Sequence, residues 1–220
     1  MSRYDAVLLD AFGTLIDIDE PFVRLRSSLQ RHLGVEVPAA DAERAFRAEM
    51  DYYVDHCHEG SDEVTLARLR ARCAEIVVRE LGIDADAARA AVLLRDSIAF
   101  RAFADVAPLL TGLHRAGVAV AVVSNWDCSL REALAGAGIT VELVVDSASS
   151  GSSKPDPGIF RRALDALGVD PARALHIGDT EDTDGAGARA AGVDVRILDR
   201  GAVSAAPGTI TALTDVLALL

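Results

Sequence analysis

The sequence predicts an α/β fold, a Rossmann-like doubly wound parallel sheet with an inserted all-helical cap domain. Three observations predict this class. Short apolar runs recur along the chain, helical segments separate them, and one long stretch near the N-terminus has helical periodicity without a convincing strand. Parallel strands that are buried on both faces give short, continuous apolar runs. Their alternation with helices indicates a doubly wound sheet.

The first predicted strand runs from Ala6 to Leu9 and ends at Asp10, where a turn that contains Gly13 follows. An apolar run of this length, bounded by a turn signal, indicates a buried strand. In open α/β sheets, ligands bind beyond the carboxyl ends of the strands. Asp10 therefore occupies a position where a catalytic group is expected.

Residues 17–101 break the alternation and form the predicted cap. Amphipathic stretches occur at residues 23–33, 42–54, 66–81 and 87–98. Because this zone directly follows the first strand and turn, we interpret it as an insertion into the core. The predicted domains are a Rossmann-like catalytic core of residues 1–16 and 102–220, and a helical cap of residues 17–101.

Four further apolar runs predict the remaining strands of the core. They lie at residues 118–123, 141–145, 174–177 and 193–198. Before the third of these runs, residues 159–167 have helical periodicity, with Pro157 near the start and Gly168 past the end. The Ser-rich stretch from Ser147 to Ser153 is predicted to be a flexible loop.

The composition disfavours several classes of partner. A formal net charge of −12 and a pI near 4.8 argue against nucleic acid, because affinity for its backbone comes largely from clustered Lys and Arg. The N-terminal apolar run is short and ends in an acid, unlike a secretory signal. No stretch approaches the roughly 20 apolar residues that span a bilayer. We expect no membrane partner, and the oligomeric state stays open.

The three cysteines indicate a reducing compartment. Cys57, Cys73 and Cys128 are too few and too scattered for a disulfide framework, and none lies in a C-x-x-C pair suited to zinc. Together with the absence of a signal, this predicts a cytoplasmic protein.

Polar residues follow the predicted strands at four places, and each suits one part of a group transfer. The Asp10 carboxylate can attack an electrophilic phosphorus or carbon atom. Hydroxyl and amide groups can hold the oxygens of the transferred group, and the backbone N–H groups of the first turn form an anion-binding concavity. The residues that carry these contacts are Phe12, Gly13, Thr14, Ser124 and Asn125.

Lys154 and two later acids complete the predicted site. Lys154 is the only lysine among the 22 basic residues, and its charge can stabilise both the nucleophile and the developing negative charge. Asp179 and Asp184 offer hard oxygen ligands of the kind that Mg²⁺ prefers. We therefore expect Mg²⁺ as the cofactor and a small, phosphorylated molecule as the substrate.

Taken together, these motifs resemble those of the haloacid dehalogenase superfamily, and the resemblance spans the whole chain. The first motif is Asp10-Ala-Phe-Gly-Thr14-Leu15, and Ser124-Asn125, Lys154 and Gly178-Asp179 with Asp184 follow in the expected order. The resemblance implies a hydrolase with a covalent aspartyl intermediate. It also implies Asp10, the Phe12 carbonyl and Asp179 as metal ligands, with Asp184 as a direct or water-mediated one.

The first motif departs from that of the superfamily's phosphatases. They usually carry a second Asp two residues after the nucleophile as a general acid and base, and here that position is Phe12. Asp-Ala-Phe-Gly-Thr-Leu is more similar to the motif of the 2-haloacid dehalogenases. The fourth motif, His176-Ile-Gly-Asp179 with Asp184, keeps the metal-binding form of the phosphatases, so the chain combines two signatures.

Three kinds of hydrolase fit these signatures. In order of preference they are a phosphatase that takes an acid from the cap, a phosphatase for substrates with a good leaving group, and a dehalogenase-like hydrolase. A catalytically silent protein that binds phosphate is a further alternative. In the cap, Tyr53, His56 and Arg24 are candidate substrate contacts, and His56 or His58 could transfer protons. Trp126 could line the pocket or pack beneath it.

Overall fold

The computed structural model describes residues 2–220, and within them the fold class is the predicted one. A six-stranded parallel sheet has the order β5-β4-β1-β6-β7-β8, so that β1 lies near its centre. A separate antiparallel pair joins β2 and β3. The strands are β1 Ala6–Leu9, β2 Ile16–Ile18, β3 Phe100–Ala102, β4 Ala119–Ser124, β5 Leu143–Asp146, β6 Ala174–Gly178, β7 Asp194–Leu198 and β8 Thr209–Ile210.

The five helices that were predicted, α1 to α4 and α8, begin and end within a few residues of the predicted positions. In α8, for example, Ile159, Phe160, Ala163 and Leu164 are buried, and Gly168 ends the helix with a left-handed φ of 66°. The α-helices are α1 Pro21–Leu33, α2 Ala39–His56, α3 Glu63–Leu81, α4 Ala87–Ser97, α5 Val106–Ala116, α6 Leu130–Gly136, α7 Ser147–Ser150, α8 Gly158–Leu167 and α9 Ala186–Ala190.

Both faces of the parallel sheet are covered by apolar layers. Val7 and Leu9 of β1 contribute to one layer, and Ala6 and Leu8 contribute to the other. This alternation follows from the two-residue repeat of a strand, which sends successive side chains to opposite faces. The polar residues that follow the strands are therefore held on a rigid support.

The helices α1 to α4 form a helical unit with an apolar core of its own. Leu25, Phe46, Leu69 and Leu93, one from each helix, are buried in it. The predicted boundaries of residues 17–101 stay a prediction, but the expectation of no strand in this zone was wrong. Ile16–Ile18 pairs with Phe100–Ala102 where the chain enters and leaves the unit. These strands are only three residues long, and β3 is largely exposed, so neither gives an apolar run.

The Ser-rich stretch was also predicted wrongly as a flexible loop. Its first half is the short helix α7, which begins after Asp146, and the Asp146 carboxylate accepts a hydrogen bond from the Ser149 backbone N–H. The Ser147 hydroxyl is buried and bonds to the backbone of Trp126. Hydrogen bonds from serine to nearby backbone order this segment.

No helix among residues 2–220 combines the length and the apolar character that a bilayer crossing requires.

Candidate active site

The carboxyl ends of three neighbouring strands bring the predicted catalytic groups together. Asp10 follows β1, Ser124 ends β4 and Asp179 follows β6, and β1 pairs in parallel with both of the other strands. Parallel pairing places all three strand ends on the same edge of the sheet. Ser124 lies 114 positions and Asp179 lies 169 positions after Asp10 in the sequence, and the parallel pairing makes them neighbours of Asp10.

Asp10 is nearly fully buried, at 5% exposure, and its carboxylate receives two hydrogen bonds at the same oxygen. The Ser124 hydroxyl donates to Asp10 Oδ1 over 2.8 Å, and Lys154 Nζ donates to the same oxygen over 2.5 Å. Within residues 2–220, both of these contacts leave Oδ2 of Asp10 unengaged. These two hydrogen bonds orient the carboxylate and leave its second oxygen available.

Asp184 links Lys154 to a histidine that the sequence analysis did not single out. Lys154 Nζ donates to Asp184 Oδ1 over 2.6 Å, and His176 Nε2 lies 2.8 Å from the same oxygen. His176 Nδ1 lies 3.1 Å from the carbonyl oxygen of Leu8. Each ring nitrogen of His176 thus lies within hydrogen-bond distance of an oxygen acceptor. The signal in the sequence was a histidine inside an otherwise apolar strand, β6.

The charges around Asp184 decide its protonation. Burial alone raises the pKa of this carboxyl, but the hydrogen bond from His176 and the charge of Lys154 outweigh burial and hold the pKa below its ordinary value. Burial lowers the pKa of Lys154, and the carboxylates of Asp10 and Asp184 more than restore it, so that the pKa is raised overall. Both groups are therefore charged at neutral pH.

Asp179 stands outside this network and is less well compensated. Although Asp179 is exposed at the surface, partial loss of solvent around its carboxyl, followed by repulsion from the Asp10 carboxylate, raises its pKa. Gly13, which has a left-handed φ of 76°, faces it so closely that a Cβ atom at position 13 would lie 2.1 Å from Asp179 Oδ2. The first turn therefore needs a glycine, both for its backbone conformation and for the approach of this carboxylate.

The acids at this edge suit a hard divalent cation. One carboxylate oxygen each from Asp10, Asp179 and Asp184 lies within 4.8 Å of the others. The three carboxylates outnumber the one lysine cation, Lys154, so net negative charge remains beside Asp179. Mg²⁺ prefers such oxygen donors, and the donor set fits it. These side chains would hold the metal together with the carbonyl of Phe12, which the resemblance predicts as a further ligand.

Thr14 and Asn125 differ in how far their side chains are already engaged by the protein. Thr14 is fully buried, and its hydroxyl has no hydrogen-bond partner in the part of the chain that the structure describes. The side chain of Asn125 accepts from the Lys154 backbone N–H over 2.7 Å and donates to its carbonyl oxygen over 2.9 Å. Asn125 thus holds the segment that presents Lys154, and this use of its amide was not foreseen.

A cavity of about 440 Å³ lies between the helical unit and the core. Phe12, which is 38% exposed, and Asn125 line it from the core. Tyr53 lines it from α2, and its hydroxyl donates to Asp127 over 2.8 Å. Trp126 packs in the core, at 5% exposure, and also lines the cavity. Its ring therefore does both of the things that the sequence left open as alternatives.

The other cap residues that were predicted as contacts lie elsewhere. His56 does not line this cavity; its ring stacks on Tyr52, and Nδ1 bonds to the Tyr52 carbonyl oxygen over 2.8 Å. His58 is exposed, and Arg24 pairs with Asp19 at 2.7 Å. Helical spacing alone could not show which face of α2 meets the core. The structure does not bring the predicted histidine acid to the nucleophile.

Known proteins with similar sequences include phosphatases. The haloacid dehalogenase-like hydrolase domain-containing protein 3 of Bos taurus is 43% identical over 86 residues, which are 38% of this chain and 34% of that protein. The phosphoserine phosphatase of Thermus thermophilus is 36% identical over 137 residues, 60% of this chain and 55% of that protein. The matches thus span about a third to just over half of these relatives.

Solved structures cover the chain more completely. The defluorinating L-2-haloacid dehalogenase Rha0230 superposes with a TM-score of 0.76 at 27% identity, over 98% of this chain and 94% of that one. The magnesium-bound YfnB of Bacillus subtilis has a TM-score of 0.72 at 16% identity, over 99% of each chain, and shows the shared fold alone. A family model described as haloacid dehalogenase-like hydrolase matches residues 4–192. The chain therefore belongs to the haloacid dehalogenase superfamily and is a hydrolase.

Proposed function

We propose that this protein is a Mg²⁺-dependent phosphatase that hydrolyses a small organic phosphate through an aspartyl-phosphate on Asp10. The observation that carries the proposal is the cluster of carboxylates from Asp10, Asp179 and Asp184. Repulsion from Asp10 helps to raise the pKa of Asp179, and a divalent cation would relieve this repulsion. A bound Mg²⁺ would supply positive charge between these carboxylates and the phosphoryl oxygens. The phosphatases among the relatives support a phosphorylated substrate.

The chain's own residues account for the chemistry as follows. Oδ2 of Asp10 attacks phosphorus while Lys154 and Ser124 hold Oδ1. Lys154 offsets the negative charge that develops on the phosphoryl oxygens, whereas the Gly13 N–H of the first turn donates to the Ile16 carbonyl oxygen. The P–O bond to the leaving group breaks, and the leaving oxygen takes up a proton. Water then attacks the phosphorus of the aspartyl-phosphate, which returns Asp10 to its carboxylate and releases a proton in exchange.

The substrate is held between the sheet edge and the helical unit in this proposal. Phe12 and Asn125 line the cavity from the core, so the leaving group would extend into it. Closing such a space excludes water from the reaction. A cytoplasmic location stays a prediction from the sequence.

A 2-haloacid dehalogenase-like activity is the second candidate. Phe12 favours it, and so does the 27% identity with a defluorinating L-2-haloacid dehalogenase. In that reaction Oδ2 of Asp10 attacks carbon and displaces a halide, which needs no proton. The acids Asp179 and Asp184 at the site count against it, because a halide displacement gains nothing from a carboxylate cluster that binds metal.

The test is a release assay on the purified protein. Inorganic phosphate is measured from sugar, nucleotide, aryl and acyl phosphates, and halide from 2-haloacids, each with Mg²⁺ and with chelator. We expect phosphate release that requires Mg²⁺ and falls by at least about 10³-fold in Asp10→Asn, because the nucleophile acts as one unit with its partners. The exposed Asp165→Asn is the matched control. Metal-independent halide release would support the second candidate, and ligand binding without turnover would support a silent binding protein.

A further inference from the structure

The cavity next to the nucleophile is mostly apolar. Its walls carry aromatic and aliphatic side chains from both the helical unit and the core: Met50, Tyr53, Leu94, Ile98, Phe100 and Trp126. At about 440 Å³, it is large enough for a ring or a short chain of carbon atoms. The leaving group that fits it has an apolar body.

Glu49 is a carboxyl group in the wall of this cavity. It lies on the buried face of α2 with Ala42, Ala45 and Phe46, and only 2% of its surface is exposed. The thiol of Cys73 donates to the carboxyl. Among residues 2–220, Oε2 of Glu49 has no hydrogen-bond partner.

The neighbouring acid Asp127 shows how a buried carboxyl in this wall is normally satisfied. Asp127 accepts hydrogen bonds from the Tyr53 hydroxyl and from the backbone and hydroxyl of Ser129. Glu49 has only its thiol donor. A buried polar atom without a partner is destabilising, and nearly all such atoms in native proteins are paired. Glu49 lines a ligand-sized cavity and is short of hydrogen-bond partners, so a ligand that reaches its carboxyl group from the cavity would supply the missing donor.

The surroundings of Glu49 agree with this interpretation. Burial raises the pKa of the carboxyl to about 7, although the Cys73 hydrogen bond lowers it somewhat. A ligand that donates a hydrogen bond, or carries a positive charge, would favour the carboxylate and offset the effect of burial.

We propose that Glu49 is a specificity-determining residue that accepts a hydrogen bond from the leaving group of the substrate. The substrate class is then a phosphate ester whose leaving group has an apolar or aromatic body with one donor on it, an ammonium or a hydroxyl group. The identification of this ligand as the leaving group of a phosphate ester rests on the proposed function. The presence of a donor-binding cavity does not.

Trp126 provides a direct measurement of binding, because it lines the cavity and is the only tryptophan of the chain. Its fluorescence is titrated at pH 8 with three probes of equal size: benzylamine, benzyl alcohol and ethylbenzene. The measured quantity is the Kd of ethylbenzene divided by the Kd of each probe that carries a donor. Because the same two probes are compared in every variant, most of the difference in hydrophobicity between the probes cancels when the ratios of two variants are compared.

In the wild type we expect a ratio at least about tenfold higher than in Glu49→Leu, because a hydrogen bond to a charged group is worth at least that factor. Glu49→Gln separates the two kinds of donor: it keeps the preference for benzyl alcohol and loses that for benzylamine. Met50→Leu, which changes the same cavity wall without a carboxyl, is the control and should keep the wild-type ratio. Equal ratios in the wild type, Glu49→Leu and Glu49→Gln would overturn the proposal.

A kinetic comparison then connects the cavity to the reaction. We expect the wild type to hydrolyse 4-(aminomethyl)benzyl phosphate with a kcat/KM about tenfold above that for 4-ethylbenzyl phosphate, and Glu49→Leu to lose this difference. If both esters are hydrolysed equally well, the leaving-group assignment is wrong while the phosphatase proposal stands. If neither releases phosphate but the fluorescence ratios hold, the phosphatase proposal fails and the donor-binding cavity stands.

Discussion

Asp184 at the edge of the sheet and Glu49 in the helical unit are buried to nearly the same degree, with 1% and 2% of their surfaces exposed. Burial raises the pKa of both carboxyls, but Asp184 also faces Lys154 and His176, and its pKa ends below the ordinary value. Glu49 has only a thiol donor, and its pKa rises to about 7. The charged and hydrogen-bonding partners of each carboxyl, and not its depth of burial, therefore decide whether its pKa is lowered or raised.

Removing the charge of Asp184 gives the largest expected effect. Asp184→Asn leaves Lys154 and His176 without their shared carboxylate, and breaking such a buried network costs about 3–5 kcal/mol of unfolding free energy. Urea denaturation at pH 7 in chelator measures this loss. Since the folded-state pKa of Asp184 is lowered, the stabilisation exists above the ordinary pKa of 3.8 and fades as the pH falls below it.

The exposed Asp182, two residues away, is the control for that variant. Asp182→Asn should change the stability by less than about 0.5 kcal/mol. An equal loss in both variants would mean that the general charge of the turn matters, and that the network around Asp184 does not.

Glu49 should behave in the opposite way. Its pKa is raised from 4.5 to about 7, so the folded state favours the protonated form. That stabilisation is complete below pH 4.5 and is lost as the pH rises to 7, where ionisation in the cavity costs on the order of 3 kcal/mol. Glu49→Gln cannot ionise, and its stability relative to the wild type should therefore rise over this interval. Urea midpoints at pH 4.5, 6 and 8 test this, and parallel curves would contradict it.

Replacing Phe12, two residues after the nucleophile, tests whether the site at the sheet edge lacks a general acid. Phe12→Asp adds a carboxyl where related phosphatases carry one, and Phe12 is 38% exposed, so the change removes little core packing. We expect at least tenfold faster hydrolysis of alkyl phosphates, because a general acid is typically worth about 10²–10⁴ in rate, and no change for aryl phosphates. Phe12→Leu is the control. An unchanged rate on alkyl phosphates would mean that another group already serves as the acid.

Metal binding should give the smallest effect. Mg²⁺ at ten times its Kd stabilises the folded state by about 1.4 kcal/mol, which corresponds to roughly 3–6 °C in Tm for a chain of this size. Asp179→Asn should lose this shift, because Asp179 is the acid whose pKa is raised by burial and by Asp10. Asp165→Asn should keep it. A thermal scan with and without Mg²⁺ measures the difference, and an equal shift in Asp179→Asn would exclude Asp179 as a ligand.

The sheet and the acids at its edge could be predicted because both depend on local signals. Apolar runs mark the strands, and parallel pairing brings the residues after β1, β4 and β6 to one edge. Asp10, Ser124 and Asp179 could therefore be grouped from the sequence alone. The role of His176 was harder to predict, because only the pairing of β6 with β1 places its ring beside the Leu8 carbonyl.

The cavity and its acid depended on packing between distant segments. Glu49 falls seven residues after Ala42, on the same face of α2, so an acid at an apolar position was visible in the sequence. That Glu49 lines a cavity, and that its Oε2 lacks a partner among residues 2–220, depends on how α2, α3 and α4 pack against the core. His56 was chosen for its chemistry, and the rotation of α2 places it against Tyr52 instead.

The pairing of β2 with β3 has a practical consequence for protein engineering. The chain enters the helical unit through Ile16–Ile18 and leaves it through Phe100–Ala102, and these two strands are paired. The Cα atoms of residues that face each other across such a pair are about 5 Å apart. A two-residue turn can bridge such a gap. The whole unit could therefore be exchanged as a cassette for that of a relative, which would transplant substrate preference onto an unchanged nucleophile.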